Sequence, residues 1–372
     1  MLDRELVIKE LNRVGSGVFK QVHSIAWLNR IWWQTVTQSQ AFLDAVCRAR
    51  SVHMLALWHG ELALLIDCQK KIDQYAVFAA DGSQIYPDNH MEGIDCFLIN
   101  TGGCFLSYGP SVARLVSEPT VYVPSLHFWP SERFSIDLVD LVREEHEFAF
   151  MATHLEPHVF GLFDGNLLFW YLASKPVDVK KHFAHRYIVH LQTLHQKRYV
   201  TAGYLSASRF TDVVNLVMYG IGLMHPDIPH KQHEQLLALL PQMSDGELLA
   251  HVLMPGQRTT MFVSMDDITE FYPDELKPCF FYLHVGSEVV RIELPAWTAA
   301  MPDVVNMLCA VCIDQCEKGQ GYPVALAEAH ARAVVQSGDR EFFFQMLFKR
   351  GVESQTHVRL SPKSFKKRVL GF

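Results

Sequence analysis

Two aspartates directly follow apolar runs, and each precedes a glycine. Asp81 ends the run in VFAADGSQIYPD, and Asp164 ends the run in HVFGLFDGNLLFWYLA. In α/β sheets, ligand sites gather beyond strand ends, where side chains leave the packed sheet and can converge. Aspartate oxygens suit Mg²⁺ or Mn²⁺, and glycine lets the chain turn sharply beside an ion. Because Asp-Gly is also an ordinary turn sequence, both interpretations of this matched pair stay open.

A divalent site for phosphodiester hydrolysis requires more than two ligands. Two ions about 4 Å apart activate water and hold the scissile phosphate when three or four acidic or imidazole groups surround them. A predicted long helix before Asp164 offers Glu144, Glu145 and Glu147, and a later helix offers His330. The later helix is rich in alanine, which permits close approach to a sheet. Taken alone, each helix residue fits a solvated face better than a ligand.

Strands and helices must position these side chains. The runs YAVFAADG, CFLINTGG and CFLSYG predict strands joined by tight turns, with NTGG as a hairpin turn. Further strands are predicted at TVYVPS, YVTAGYLSA, TTMFVS, CFFYLHV and EVVRIEL, the last two joined at Gly286-Ser287. Helices are predicted over 137–155, 210–220 and 322–335. The fold class is therefore α/β.

The N-terminal part of the chain has a different residue pattern from the rest. Residues 1–70 predict a helical N-terminal region, because apolar residues recur at helical spacing. Trp27, Trp32 and Trp33 crowd one segment, and core packing is favoured over an exposed partner-binding face. Residues 71–372 are predicted as one α/β domain, in which 225–256 forms a helical insertion.

Composition limits the class of protein. The 372 residues are 49% hydrophobic and 20% charged, as is typical of a globular protein in water. The longest mainly apolar stretches fall short of the roughly 20 residues of a membrane span, and the first residues lack a secretory h-region. We therefore expect a cytoplasmic protein with no membrane partner. Cys309, Cys312 and Cys316 share a predicted helix face, which is expected to be packed rather than metal-binding.

The charge distribution bears on nucleic-acid binding. A net charge of −7 argues against nonspecific adhesion by the whole surface but allows a local basic channel. The segment 175–198 carries six Lys and Arg residues against one Asp. Lys180, Lys181 and Arg186 are its candidate phosphate contacts. A solvated helix face is an equally good interpretation.

Two further arginines are candidate phosphate contacts. Arg209 follows GYLSAS, and Arg291 lies in RIELP. A structural salt bridge is at least as well supported for each. This holds above all for Arg291, because Glu293 lies on the same face of its predicted strand.

Six segments, in this order, resemble the NurA family of DNA-repair nucleases: FAADGSQIYPD, INTGGCFLSYG, LFDGNLLFWYL, TAGYLSASRFTDVVNL, RIELPAW and GYPVALAEAHARAV. The resemblance runs from about Tyr75 to Arg340. It implies an RNase H-like core with a mixed central sheet flanked by helices. It also implies a manganese-dependent nuclease acting on DNA ends and single strands, a homodimer, and a HerA-like hexameric ATPase as partner.

The resemblance also implies the catalytic and metal ligands, which are Asp81, Glu147, Asp164 and His330. Glu147 is selected because it follows Arg143 at R-x-x-x-E spacing, and Glu144, one turn away, is the alternative. The expected cofactor is Mn²⁺ or Mg²⁺, with two ions per site. An imidazole ligand moves preference toward Mn²⁺, and clustered carboxylates need cations because they repel one another.

Two other functions compete with a metal-dependent DNA nuclease. One is a non-catalytic DNA-clamping or scaffold subunit of a motor complex. The other is an RNase H-like nuclease for RNA or hybrids, because metal chemistry at a phosphate does not itself distinguish the sugar. The sequence has no G-x-x-x-x-G-K-[ST] pattern, so ATP-driven translocation must come from a partner.

Overall fold

The computed structural model of the chain describes residues 2–15, 33, 40–53, 55–68, 72–88, 91–123, 136–223, 243–356 and 359–360. Trp27, Trp32 and most of the predicted insertion lie outside the described residues. Trp33 is 1% exposed and packs with Phe42 and Val46, in agreement with core packing. The division of the chain at residue 70 stays a prediction.

The described strands and helices follow the predicted alternation after residue 70, whereas β1 and β2 lie within the region that was predicted to be helical. The strands are β1 Leu57–Trp58, β2 Ile66–Asp67, β3 Tyr75–Ile85, β4 Met91–Glu92, β5 Phe97–Tyr108, β6 Val112–Tyr122, β7 Phe160–Asp164, β8 Thr201–Leu205, β9 Gln257–Arg258, β10 Phe262–Val263, β11 Pro278–His284, β12 Val289–Pro295 and β13 Arg359–Leu360. The helices are α1 Arg4–Val14, α2 Gln40–His53, α3 Ile136–His154, α4 Val177–Gln196, α5 Asp212–Leu223, α6 Asp245–Leu249, α7 Ala296–Ala299, α8 Pro302–Lys318, α9 Val324–Ala333 and α10 Ser337–Glu353. None of these helices is both long and apolar enough to cross a membrane.

One mixed sheet organises the described part of the chain. Its strand order is β1-β10-β11-β12-β8-β7-β3-β5-β6, with β9 also paired to β11 and β2 paired to β9. The pairs β3–β7 and β7–β8 are parallel, and the other pairs are antiparallel. The predicted α/β fold with a mixed central sheet and flanking helices is confirmed. Its RNase H-like assignment stays a prediction.

Helices cover both faces of the sheet at β3. Because side chains alternate along a strand, Phe78 and Ala80 pack on the side of α3 and α4. Val77 and Ala79 face α8 and α9 on the other side. The predicted cysteine face lies in that second layer, where Cys309, Cys312 and Cys316 are free, buried thiols in the apolar core.

The predicted hairpin at NTGG is wrong. These residues, Asn100 to Gly103, lie inside the continuous strand β5. A Cβ at Gly102 would collide with backbone atoms of Ala333 and Ala329, and one at Gly103 would lie 2.7 Å from the ring of Phe150. The glycines thus let helices approach both faces of β5. The chain turns instead after β5, at Gly109, which has φ +112°.

Arg291 is the centre of a buried ionic network at the β12 side of the sheet. Its side chain is 1% exposed and donates to Glu293 at 2.8 Å and to Asp212 at 2.7 Å. The other oxygen of Glu293 accepts from the backbone N–H groups of Leu167 at 2.8 Å and Leu168 at 2.9 Å. This arrangement favours the structural salt bridge over the phosphate contact for Arg291, because the guanidinium does not reach the surface.

The network predicts a large stability effect. Arg291→Met leaves the carboxylate of Glu293 buried without its cation, and removing one partner of a buried pair costs about 3–5 kcal/mol. We expect the free energy of unfolding, measured by urea titration, to fall by that amount. Lys349→Met is the control, since Lys349 is 67% exposed and lies 4.0 Å from Glu353. Equal unfolding free energies for the two variants would contradict the network's role.

Candidate active site

Asp81 and Asp164 lie side by side where the parallel pairing of β3 and β7 ends. The last registered pair is Ala80 with Phe163, and each aspartate is the next residue of its strand. Strand β7 stops at Asp164, whereas β3 continues to Ile85 in its pairing with β5. Side-chain alternation places both carboxylates on the face covered by α9. Asp81 is therefore inside a long strand but at the end of its pairing with β7.

Helix α9 brings His330 onto Asp81. The Nδ1 of His330 lies 2.7 Å from Oδ2 of Asp81, whose Oδ1 accepts from the Gly82 N–H at 2.8 Å. Because an ionised carboxylate only accepts, the imidazole donates Nδ1–H to Asp81, and in the neutral ring Nε2 carries the lone pair. Nε2 makes no hydrogen bond with another described residue, and the His330 side chain is 63% exposed.

The C-terminal end of α9 is fastened to β5 and β3. Asn100 donates from Nδ2 to the carbonyls of Arg332 at 3.0 Å and Ala333 at 2.8 Å. The hydroxyl of Ser83 donates to the same carbonyl of Ala333. These bonds satisfy carbonyls at the end of the helix. They hold the turn that carries His330 in register with Asp81.

Glu147 reaches the same edge from the opposite face of the sheet. It pairs with Arg143 one turn earlier on α3. A Cβ on Gly82 would lie 2.5 Å from Oε1 of Glu147, so the glycine makes room for the carboxyl group. Burial raises the pKa of Glu147 to about 8; Arg143 opposes this shift and the charge of Asp81 adds to it. A cation bound here would have to displace a proton.

Asp164 has a more open position at the end of β7. Its partial removal from water raises its pKa. The neighbouring hydroxyl of Tyr322 acts in the opposite direction, and the charge of Asp81 adds to the increase. The negative charges of the site therefore act on one another across both faces of the strand end. Sequence reasoning missed Tyr322, although it lies in the GYPVALAEAH segment that supplied His330.

The structure separates the three glutamates of α3. Glu145 pairs with Arg186 at 2.7 Å and with His190 at 3.3 Å, so it faces α4. Glu144 lies 3.6 Å from Arg143. Of the three, Glu147 has the contacts with β3. These contacts favour Glu147, the residue at R-x-x-x-E spacing, over Glu144, and its role as a ligand stays a prediction.

The candidate phosphate contacts are dispersed. Arg186 is 32% exposed and engaged by Glu145. Lys181 is exposed on α4 and Lys180 is half-buried, and neither makes an ion pair with another described residue. Arg209 is exposed and lines a pocket of about 490 Å³ together with Trp170, a residue that sequence reasoning did not single out. These cations come from separate elements, α4 and the segment after β8.

The types of donor atom at the site suit a divalent cation, although Asp81 and Glu147 are bonded to neighbouring side chains. Carboxylates and an imidazole fit Mn²⁺, and oxygen donors fit Mg²⁺. Within the described residues, no three His, Cys, Asp or Glu side chains converge on one point as ligands. Asp81 is bonded to His330, and Glu147 to Arg143. A cation would bind through the remaining lone pairs of these carboxylates, and it would relieve the repulsion among them.

Comparison with known proteins places the chain in a family. No curated protein matches it. Three solved structures resemble it at 9% identity: a crystal structure of NurA (TM-score 0.39, covering 88% of this chain and 97% of that chain), NurA bound to dAMP and manganese (0.37, 89% and 98%), and NurA with manganese (0.37, 86% and 94%). The model of the NurA domain matches residues 75–335, well over half of the chain. This match confirms the resemblance found in the sequence motifs, and the chain belongs to the NurA domain family.

Proposed function

We propose that this chain is a metal-dependent deoxyribonuclease that hydrolyses phosphodiester bonds at DNA ends and in single strands. One observation carries the proposal: Asp81 and Asp164 occupy adjacent strands at the same level, with His330 bonded to Asp81. Such a cluster of repelling carboxylates beside an exposed imidazole is poorly explained by stability alone. Membership of the NurA family supports the same activity.

Asp81, Glu147, Asp164 and His330 would hold the cation, Mn²⁺ in preference to Mg²⁺ and with two ions per site. A bound divalent ion supplies an activated water and neutralises charge on the scissile phosphate. The chain contributes the positions of the ligands. Arg143 holds the Glu147 side chain over Gly82, and Asp81 orients the His330 ring through Nδ1.

The exposed face of His330 is where substrate would enter. Its Nε2 would serve as a ligand of the cation, or would accept a proton from the attacking water, depending on its distance from the bound strand. Strand β3 and helix α9 hold the ring, so little ordering remains to be done when DNA arrives. The proposed assembly includes a homodimer and a HerA-like hexameric ATPase, and the proposed location is the cytoplasm.

Removal of either aspartate should abolish cleavage. We expect Asp81→Ala and Asp164→Ala to show no cutting of end-labelled single-stranded or duplex DNA in Mn²⁺, because each removes a ligand. Circular dichroism should show an unchanged fold, since the removed charges repel other carboxylates. Wild-type rates in either variant would place the site elsewhere.

Metal binding gives a second readout for the same variants. A ligand that binds only the folded state at 100 times its Kd stabilises by about 2.7 kcal/mol. Mn²⁺ should therefore raise the Tm of the wild type and not that of Asp81→Ala. A wild type that binds DNA without cutting it in Mn²⁺ would instead support the scaffold function. Cleavage restricted to RNA or hybrid strands would support the other alternative.

The glutamates of α3 should differ in their effects. Glu147→Gln should lower the cleavage rate far more than Glu144→Gln, because the Glu147 carboxyl group lies over Gly82 of β3, whereas Glu144 lies beside Arg143. Glu145→Gln is the matched control, and it should lower the Tm through Arg186 and His190 without a comparable loss of activity. If Glu144→Gln proves the most damaging to catalysis, the ligand lies one turn earlier on the helix.

Assembly can be tested in solution. A net charge of −7 requires DNA to follow a locally basic path, and a twofold dimer would line one channel with two copies of each basic segment. We expect a homodimer by light scattering at micromolar concentration, and faster duplex degradation with the hexameric ATPase and ATP. A strict monomer that digests DNA completely would rule out the shared channel.

A further inference from the structure

A pocket of about 490 Å³ opens beside Asp164, at the ends of β7 and β8. Its walls include Asn166, Trp170, Leu205 and Arg209. Asn166 follows Asp164 by two residues, so their Cα atoms are within about 7 Å of each other. A volume in this range accommodates a small organic ligand. The pocket therefore opens at the same end of β7 as Asp164, two residues beyond it along the chain.

Trp170 presents an open aromatic surface to this pocket. Its side chain is among the exposed apolar groups, at 47%. The ring stands edge-on to Phe210, with centroids 6.4 Å apart and planes at 86°. Its backbone N–H donates to Leu168 at 2.9 Å, and the Leu168 N–H is held by the buried Glu293. The indole is thus a platform on a rigid support.

Arg209 is the cation of this region that remains available. It is exposed, and it lines both this pocket and an adjoining one of about 770 Å³. It makes no ion pair with any residue that the structure describes. Asp212, in the same wall, is paired with Arg291. Glu288, in the adjoining pocket, accepts from Ser206 and from the Ala207 N–H.

Asn166 adds a hydrogen-bonding group to the wall. Its Oδ1 is buried and has no hydrogen-bond partner within the described part of the chain. A buried acceptor without a partner costs about 1–3 kcal/mol. An N–H group on the Watson–Crick edge, which every unpaired base carries, would relieve that cost after a rotation of the Asn166 side chain. An apolar ligand would leave the Asn166 oxygen without a partner.

We infer that this pocket binds one unpaired base of the DNA strand next to the scissile phosphate, with Trp170 stacked on the base and Arg209 on a neighbouring phosphate. The inference rests on the proposed nuclease function. An unpaired base is required because both faces of a base inside a duplex are already stacked. Stacking on an aromatic side chain tolerates any base. The subsite therefore selects single-stranded over duplex DNA without selecting sequence.

Binding can be measured without cleavage in an Asp81→Asn background. We expect Trp170→Ala to weaken the affinity for a fluorescent single strand of about 12 nucleotides roughly tenfold in fluorescence anisotropy, the scale of losing one stacked base. Trp170→Phe should retain most of the affinity because it keeps a ring. Phe342→Ala is the matched control, since Phe342 is 64% exposed and lies on α10, outside the pocket; its affinity should be unchanged.

An abasic scan tests the base itself. One abasic position in the oligonucleotide should weaken its binding to the protein that retains Trp170 about tenfold. The same abasic position should have little further effect on the affinity of Trp170→Ala, because both changes remove the same contact. Equal losses at that position in both proteins would overturn the stacking assignment.

Photocrosslinking to the protein with an unaltered pocket tests base binding even if Trp170→Ala fails to fold. A strand carrying 5-iodouracil at that position should crosslink to the peptide containing Trp170. Crosslinks confined to other peptides would overturn the subsite. These outcomes are distinct from failure of the proposed function, in which the wild type does not cut DNA in Mn²⁺. A wild type that cuts normally, beside a Trp170→Ala variant of equal affinity, refutes the subsite alone.

Discussion

The end of the parallel pairing between β3 and β7 is the constraint on which the candidate site depends. Strands in register bring the residues after Ala80 and Phe163 together whatever those residues are, and here both are aspartates. Repulsion between Asp81 and Asp164 is unfavourable, and the bond from His330 offsets part of it. The fold therefore maintains a local concentration of negative charge, which is the physical basis of cation affinity.

Close packing of two helices against the strands completes that concentration. Helix α9 touches β5 because Gly102 has no side chain, and Glu147 of α3 reaches over Gly82 for the same reason. At each of these two positions the strand carries a glycine, which stabilises a strand interior less than a residue with a side chain does. As a result, charged side chains from both faces of the sheet interact where the pairing of β3 and β7 ends. The raised pKa of Glu147 records this proximity, with burial as its main cause and Asp81 as a contributor.

The local residue pattern predicted the strands and helices better than it predicted the roles of the glycines and arginines within them. Apolar runs ended by Asp-Gly located Asp81 and Asp164, although only Asp164 ends its strand, because β3 continues to Ile85 in its pairing with β5. NTGG was misassigned because a glycine that admits a helix and a glycine that makes a turn look alike in one sequence. Trp170 was not singled out, because its pocket forms between segments that are distant along the chain. Only the register of β7 and β8 brings it together with Arg209.

The buried network around Arg291 links stability to the position of that pocket. Glu293 holds the N–H groups of Leu167 and Leu168, which lie between Asp164 and Trp170. The guanidinium of Arg291 also lies 4.0 Å from the centre of the Phe210 ring, which supports the indole. Buried ion pairs are weak sources of net stability compared with apolar packing. A network of this kind is therefore better explained by the geometry that it imposes. It fixes the chain on both sides of the pocket, through Leu167 and Leu168 on one side and through Phe210 on the other.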